Sequence, residues 1–289
     1  MVAGSSMVLV GFVVKRGSKE AASTTRRIMD FLKSEGHEAV VISSPTDIAD
    51  EMSFIVSNGG DGTVIHTARM VVGREVSVPI FPVNSGSLGF LAEVDASEAL
   101  SEVKKILDGR FRVRSFNVLD AFVDGEYVGF AVNEAVLSGG YGKLLKCRLI
   151  LDSYPVAFIR ADKVIVSSPL GSTAYNLSAG GSIIHPDLKA ISVSFVAQFY
   201  GSRVPSMVLP AETEVSLYNA GEEPAYVIVD GQLVGEKGEV STGHSLKVKS
   251  SNRGFMLIST KWEFYERLSK KLLNNSKLAW PPAPSPAHL

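Results

Sequence analysis

The segment Asn58-Gly59-Gly60-Asp61-Gly62-Thr63 combines residue types that suit chemistry on an anion. Its glycines carry no side chain, so a ligand can come close to the backbone N–H groups. It stands between an apolar, β-branched run, residues 53–57, and a stretch in which Val64, Ile65, Ala68, Val71 and Val72 recur at helical spacing. Gly73 closes that stretch. A glycine loop leading from a strand end into a helix start is where open α/β sheets bind ligands. The free N–H groups and the helix dipole there favour negative charge. Asp61 sets a carboxylate in the middle of this anion site, which costs energy unless the charge has chemical work to do there. Gly-Gly-Asp-Gly strings also form ordinary tight turns, so the loop by itself leaves both readings open.

A second stretch, residues 167–181, reads Ser-Ser-Pro-Leu-Gly-Ser-Thr-Ala-Tyr-Asn-Leu-Ser-Ala-Gly-Gly. It follows the apolar run Val164–Val166. Small hydroxylated residues offer neutral hydrogen bonds, and Tyr175 offers a flat ring that could stack on a heterocycle. Such a run suits the base and sugar of a nucleotide. A flexible Ser/Gly linker is the alternative, but Tyr175, His185 and Pro186 are not linker composition.

The elements that must position these stretches follow from periodicity. Residues 7–14 predict a strand, 19–35 a helix with Gly36 at its end, and 39–42 a second strand. The strand–loop–helix around Asp61 comes next. A strand at 78–83 leads into another glycine-rich loop, Asn84–Gly89, and a helix is predicted over 96–107. This alternation predicts a parallel sheet with helices on its faces and both glycine loops on one rim. From Phe111 the texture changes to short β runs and turns. Residues 119–123 and 127–132 flank Asp124-Gly125, a hairpin signal. Further strands are predicted at 147–151, 156–159, 164–167, 190–196, 214–218, 226–229 and 245–249, the pattern of a mainly antiparallel sandwich. Residues 255–259 predict a strand and 264–273 a helix that returns to the first domain. The expected fold class is therefore an α/β Rossmann-like domain over 1–110, completed by 255–275, and a β-sandwich domain over 111–250. Residues 276–289 form a proline-rich tail too rich in Pro281–Pro286 to fold.

Composition bounds the class. The chain has 289 residues, 45% hydrophobic and 20% charged, with formal net charge −1. That supports full cores and gives no basic field for nucleic acid or a membrane surface. The single cysteine, Cys147, cannot form an internal disulfide and reads as a buried thiol. The five histidines show no metal-ligand spacing. No run is long enough to span a bilayer and no secretion signal is visible, so a cytosolic protein is expected.

Taken together, Gly-Gly-Asp-Gly-Thr at 59–63, Asn-Ser-Gly-Ser-Leu-Gly-Phe-Leu-Ala-Glu at 84–93, Asn133-Glu134, and the run at 168–181 resemble the motif set of the NAD kinases. Order and spacing match over about residues 50–235. The first motif alone also resembles diacylglycerol and sphingosine kinases and is related to phosphofructokinases; the Gly-Ser-Thr-Ala-Tyr run with Asn-Glu upstream is the specific part. The resemblance implies transfer of a phosphoryl group from ATP or inorganic polyphosphate to the 2′-hydroxyl of the adenosine ribose of NAD, giving NADP. It implies Asp61 as the base and Gly59, Gly60, Gly62 and Thr63 as the phosphate loop. A divalent cation, Mg²⁺, is expected to arrive with the donor phosphates, because the sequence holds no dedicated metal cage. For the dinucleotide it implies His66, Asn133 and Glu134, Lys143, Arg160 and Asp162, and the cradle Thr173, Ala174, Tyr175, Asn176, Leu177 and Ser178. Ala197 and Gln232 are implied as more distant contacts, and a homodimer or homotetramer as the assembly. Ser168, Leu170, Ser182 and Lys163 depart from the family pattern. Two rival readings remain at this stage: a lipid kinase using the same loop, and a non-catalytic NAD(P)-binding sensor.

Overall fold

The computed structural model describes residues 7–273 except 87, 88, 93, 141, 202, 262 and 263. The proline-rich tail, residues 1–6, and Ser87, Leu88 and Glu93 of the second glycine run lie outside the described residues. The first half runs β1 (Leu9–Val14), α1 (Lys19–Ser34), β2 (Glu38–Val41), β3 (Phe54–Gly59), α2 (Asp61–Gly73), β4 (Ile80–Asn84), β5 (Val94–Asp95) and α3 (Ala99–Leu107). Strands β2-β1-β3-β4 are adjacent and parallel. Every residue of β3 and β4 is buried, as a parallel strand covered on both faces requires. Ser18 caps α1 by accepting from the Ala21 N–H at 3.2 Å, and Gly36, at φ +80°, ends it. One face of the sheet packs Val10, Phe12, Val56 and Phe81 on Ile28 and Leu32 of α1 and Val103 of α3. The other packs Ile55 and Ile80 on Val64, Ala68 and Val71 of α2.

The second half runs β6 (Arg112–Val123), β7 (Glu126–Ala131), β8 (Glu134–Gly139), β9 (Leu145–Leu151), β10 (Tyr154–Ala161), β11 (Lys163–Ser167), α4 (Tyr175–Ser178), β12 (Ala190–Val196), β13 (Met207–Pro210), β14 (Val215–Asn219), β15 (Ala225–Val229), β16 (Gln232–Leu233), β17 (Glu239–Val240), β18 (Ser245–Ser259) and α5 (Phe264–Leu268). The hairpin between β6 and β7 turns on Asp124 and Gly125, both at positive φ. One antiparallel sheet, β13-β12-β11-β8-β15-β16, faces β10-β9-β14-β18 of the other. Leu137, Leu149, Ile159, Val166, Leu217, Val227 and Leu246 fill the space between them. The chain is thus an α/β domain joined to an antiparallel β-sandwich, as its alternation predicts.

Three expectations change. Residues 245–249 and 255–259 form one strand, β18, because the turn-like residues between them remain extended and are absorbed as an irregularity against β6, between Ser250 and Gly254. Gly254 is needed there, since a Cβ would lie 2.3 Å from the Phe116 carbonyl oxygen. Helix α3 starts at Ala99 rather than 96, because the Ala96 N–H donates to the Asn84 carbonyl at 2.9 Å and keeps the chain beside the sheet. The strand Met207–Pro210 has no counterpart in the sequence reading; four residues ending in proline give too little periodicity to see.

Candidate active site

Helix α2 begins at Asp61 itself, one residue past the Gly60 N-cap. The first N–H groups of this helix have no intrahelical acceptor and face outward from the loop. Gly59 is obligatory: a Cβ would sit 2.1 Å from Thr63 Oγ1. Below the loop, Asn58 is fully buried and ties three segments together. Its Nδ2 donates to the Ala21 carbonyl and to Thr25 Oγ1, both at 2.9 Å, and its Oδ1 accepts from Ser85 Oγ at 2.6 Å.

The two glycine loops meet, as their common rim predicts. The Ser85 N–H donates to the Gly59 carbonyl at 2.7 Å. The second loop also supplies partners for the carboxylate. Asp61 Oδ2 accepts from the Phe90 N–H at 2.7 Å, and Oδ1 from Leu91 and Ala92 at 2.9 and 3.2 Å. A Cβ on Gly89 would lie 2.1 Å from Asp61 Oδ1, so only glycine allows this approach. Lys271 Nζ stands 4.0 Å from Oδ2 and 4.1 Å from the centre of the Phe90 ring. The carboxylate that looked misplaced in an anion site is therefore oriented by backbone donors and has a cation beside it.

Asn133 and Glu134 lie at the turn from β7 into β8. The turn closes on Asp230, whose carboxylate accepts from the N–H groups of Val132, Asn133 and Glu134 at 2.9, 2.7 and 3.3 Å. Asp230 is buried and pairs with Arg69 of α2, Nη1 to Oδ2 at 2.8 Å. Arg69 also donates to the Phe130 carbonyl and lies over the Phe130 ring. So the helix that begins with Asp61 is bolted to the turn that carries Asn133-Glu134. In Asp230-Gly231-Gln232 the resemblance implies a role for Gln232 alone, in a segment that otherwise reads as a turn. The signal available was an aspartate ahead of a glycine at a strand end, where positive φ is tolerated; here φ is +46° at Asp230.

Glu134 is 6% exposed, and its Oε2 has no hydrogen-bond partner among the described residues. Burial pushes its pKa up from 4.5 to about 7; the nearby Asp230 charge adds to this, and the Tyr175 N–H that it accepts opposes it. A carboxyl that holds its proton more tightly when folded costs stability as pH rises from 4.5 to about 7. The total is roughly 3 kcal/mol. Glu134→Gln is therefore expected to be more stable than the parent by up to about that amount at pH 8, with the gap closing at pH 4. Urea unfolding of both proteins at the two pH values measures it; a pH-independent difference would show that Glu134 titrates normally.

The run at 168–181 wraps this turn. Ser168 Oγ donates to the Val132 carbonyl at 2.7 Å and accepts from the Gly171 N–H at 3.1 Å, so the serine retains a hydroxyl where the family pattern has threonine. The Ser168 N–H donates to the Asn133 carbonyl at 2.8 Å. A Cβ on Gly171 would stand 2.2 Å from the same oxygen. Leu170 is packed into the core below α2. Thr173 lines a small hollow with Phe90 and Phe264, where the two halves of the chain meet. Ala174 precedes the single turn of α4, in which Tyr175 and Leu177 are half-buried and Ser178 is exposed. Lys163 places its ammonium 5.3 Å from the Tyr175 ring centre. Asn176 is fully buried and its amide is spent inside, donating to the Ser172 and Ser182 carbonyls at 3.0 Å and accepting from Ser192 Oγ at 3.1 Å.

His66 and Gln232 are exposed and share a hollow of about 450 Å³ with Gly62, Arg69 and Asp230, beside the phosphate loop. Arg160, Asp162 and Ala197 form a separate group. The Phe199 N–H donates to the Arg160 carbonyl at 2.8 Å, the guanidinium lies 4.2 Å from the Phe199 ring centre, and the Asp162 N–H donates to Val196 beside Ala197. Lys143 lies in another hollow and pairs with Glu223 at 3.4 Å. The described contacts join neither group to the Asp61 loop. Among the described residues no set of three or more His, Cys, Asp or Glu is placed to hold a metal ion. No helix among them is long and apolar enough to cross a membrane.

Comparison with known proteins identifies the family. Residues 43–111 match the model for the ATP-NAD kinase N-terminal domain, and residues 132–260 that for the ATP-NAD kinase C-terminal domain. The NAD kinase of Picrophilus torridus is 33% identical over 275 residues, covering 92% of this chain and 98% of that one. Among solved structures, the Archaeoglobus fulgidus NAD kinase in complex with ATP has a TM-score of 0.74 at 24% identity, over 92% of this chain and 98% of that one. Yeast NADH kinase complexed with NADH has a TM-score of 0.81 at 19% identity, over 95% and 89%; these two likenesses concern the fold. Both domain models, in the order and positions of the two halves described above, and a relative matched almost end to end place the chain in the NAD kinase family.

Proposed function

We propose that this enzyme transfers a phosphoryl group to the 2′-hydroxyl of the adenosine ribose of NAD, with Asp61 as the base. The observation that carries the reading is the fixed Asp61 carboxylate at the helix start, within the same rim as the phosphate loop. The hydroxyl oxygen attacks the phosphorus, the bond to the donor's leaving oxygen breaks, and the hydroxyl proton passes to Asp61. A carboxylate is too weak a base to ionise a sugar hydroxyl beforehand. It orients the oxygen and takes the proton late.

The N–H groups of Gly60, Asp61 and Gly62, with Gly59 and Thr63 shaping the loop, face the donor phosphates. Lys271 adds positive charge at the same place. With no cage for it among the described residues, a divalent cation would be held by the phosphates of the donor, ATP or polyphosphate, and would offset their charge. NAD is held by Asn133, Glu134 and residues 173–178, with Asn176 bracing the cradle from inside and His66 and Gln232 bordering it. We assign Lys143, Arg160, Asp162 and Ala197 to the nicotinamide side, reached in a homodimer or homotetramer. The edge strand β10 supports such an assembly: it exposes Tyr154, Val156 and Phe158 and leads into Arg160 and Asp162. A cytosolic setting accords with the lone thiol, Cys147, which burial pushes up to about 12. We take residues 1–110 with 255–275, and 111–250, as the two domains flanking the site.

The deciding experiment is an activity matrix. ATP and polyphosphate, each with Mg²⁺, are offered against NAD, NADH, diacylglycerol and sphingosine, and phosphorus NMR locates the new phosphate. The 2′-phosphate of NADP is expected. A lipid phosphate, or nucleotide binding without any transfer, overturns the assignment.

A further inference from the structure

Arg267 of α5 is buried, 5% exposed, and comes from the far end of the chain to the loop that holds Asp61. Its Nη1 donates to the Gly89 carbonyl at 3.3 Å and to the Ala92 carbonyl at 2.5 Å. The Gly89 carbonyl and the Phe90 N–H belong to one planar peptide group. That group accepts from Arg267 on one side and donates to Asp61 Oδ2 on the other. Ala92 is engaged from both sides through two successive peptide groups: its N–H, in the Leu91–Ala92 peptide, donates to Asp61 Oδ1, and its carbonyl, in the next, accepts from Arg267. A guanidinium and a carboxylate therefore sit at opposite ends of the same short stretch of backbone, each favouring the orientation that the other needs. Hydrogen bonds in such a chain polarise one another in the same direction.

We propose that Arg267 is a positioning residue of the active site: by holding the carbonyls of Gly89 and Ala92 it sets the N–H groups that fix the Asp61 carboxylate. It touches neither substrate nor reacting atoms, and it acts through the backbone of one loop. The proposal rests on the reading of Asp61 as the base for its kinetic consequence. Its geometric content is independent of that reading.

The kinetic test is a double-mutant cycle with Asp61→Asn and Arg267→Met. A base displaced by about an ångström loses on the order of 100-fold in turnover. Arg267→Met is accordingly expected to lower kcat about 10- to 100-fold, with KM for NAD changed less than about 3-fold, and Arg267→Lys to recover part of the loss. On the Asp61→Asn background Arg267→Met is expected to cost nothing further. A full additional loss there, or a loss confined to KM, overturns the proposal. Gly89→Ala, which drives a methyl into Asp61, is expected to reproduce the kcat defect without touching α5. Amide NMR needs no turnover: the Phe90 amide proton is expected to shift in Arg267→Met, as it is expected to in Asp61→Asn, where it loses its acceptor. An unmoved Phe90 amide signal in a folded Arg267→Met protein would overturn the proposal even if the assigned reaction proved wrong.

Discussion

Asp61→Asn is expected to lower NADP formation by two to four orders of magnitude, about 10²- to 10⁴-fold, the range for loss of a positioned general base. The contacts add a second consequence. The asparagine oxygen can take over the Leu91 and Ala92 bonds, but then its NH₂ group faces the Phe90 N–H, donor against donor. A stability loss of about 1–3 kcal/mol should accompany the loss of activity, because an amide N–H is left without its acceptor. Single-turnover assays at saturating NAD separate the two effects, since they count only folded protein that has bound substrate. Turnover close to the parent's in that assay would remove Asp61 from the role of base.

Asp230→Ala should have the largest effect on folding. It leaves the N–H groups of Val132, Asn133 and Glu134 without an acceptor and Arg69 without its counter-charge. A buried donor left without its acceptor typically costs about 1–3 kcal/mol, whereas Arg69, 26% exposed, keeps access to water. The Asn133-Glu134 turn loses its anchor to α2, so KM for NAD should rise more than kcat falls. Removing the Asp230 charge should also bring the Glu134 pKa down from about 7, because that charge is one of the two causes that raise it. Chemical unfolding, steady-state kinetics and carbon NMR of the Glu134 carboxyl group measure the three effects. A variant as stable as its parent would mean that other donors and acceptors already satisfy the turn.

The sequence made the parallel half legible for a physical reason. Strands β3 and β4 are buried on both faces, open on the mainly apolar runs 54–56 and 80–83, and each leads into a glycine-rich loop, so both the strand and the position of the loop are visible. Asp61 stood out because a carboxylate at a helix start that suits anions demands an explanation. The backbone donors that hold it could not be read, since N–H groups have no letter of their own. Asp230 and Arg267 were missed for a related reason: each acts on residues about a hundred or more positions away, through main-chain groups. Asn176 shows the opposite limit. Its place inside a motif suggested a ligand contact, whereas its amide is wholly engaged with Ser172, Ser182 and Ser192. Motif membership shows that a residue matters to a site; burial and partners show how.

Strand β18 has a bearing on how the protein is made. Its last residues lie between β4 and β6, with Leu257 opposite Ile80 and Arg114. On the ribosome, the sheet that carries the phosphate loop is therefore complete only after residue 259 has emerged, when the entire sandwich has already been synthesised. Until then β4 presents an unfinished edge, and Ile80 lacks the neighbour that buries it. Contacts of such long sequence separation form late and expose intermediates to aggregation. The first hundred residues, although they hold the catalytic loop, are the part of the nascent chain most in need of protection.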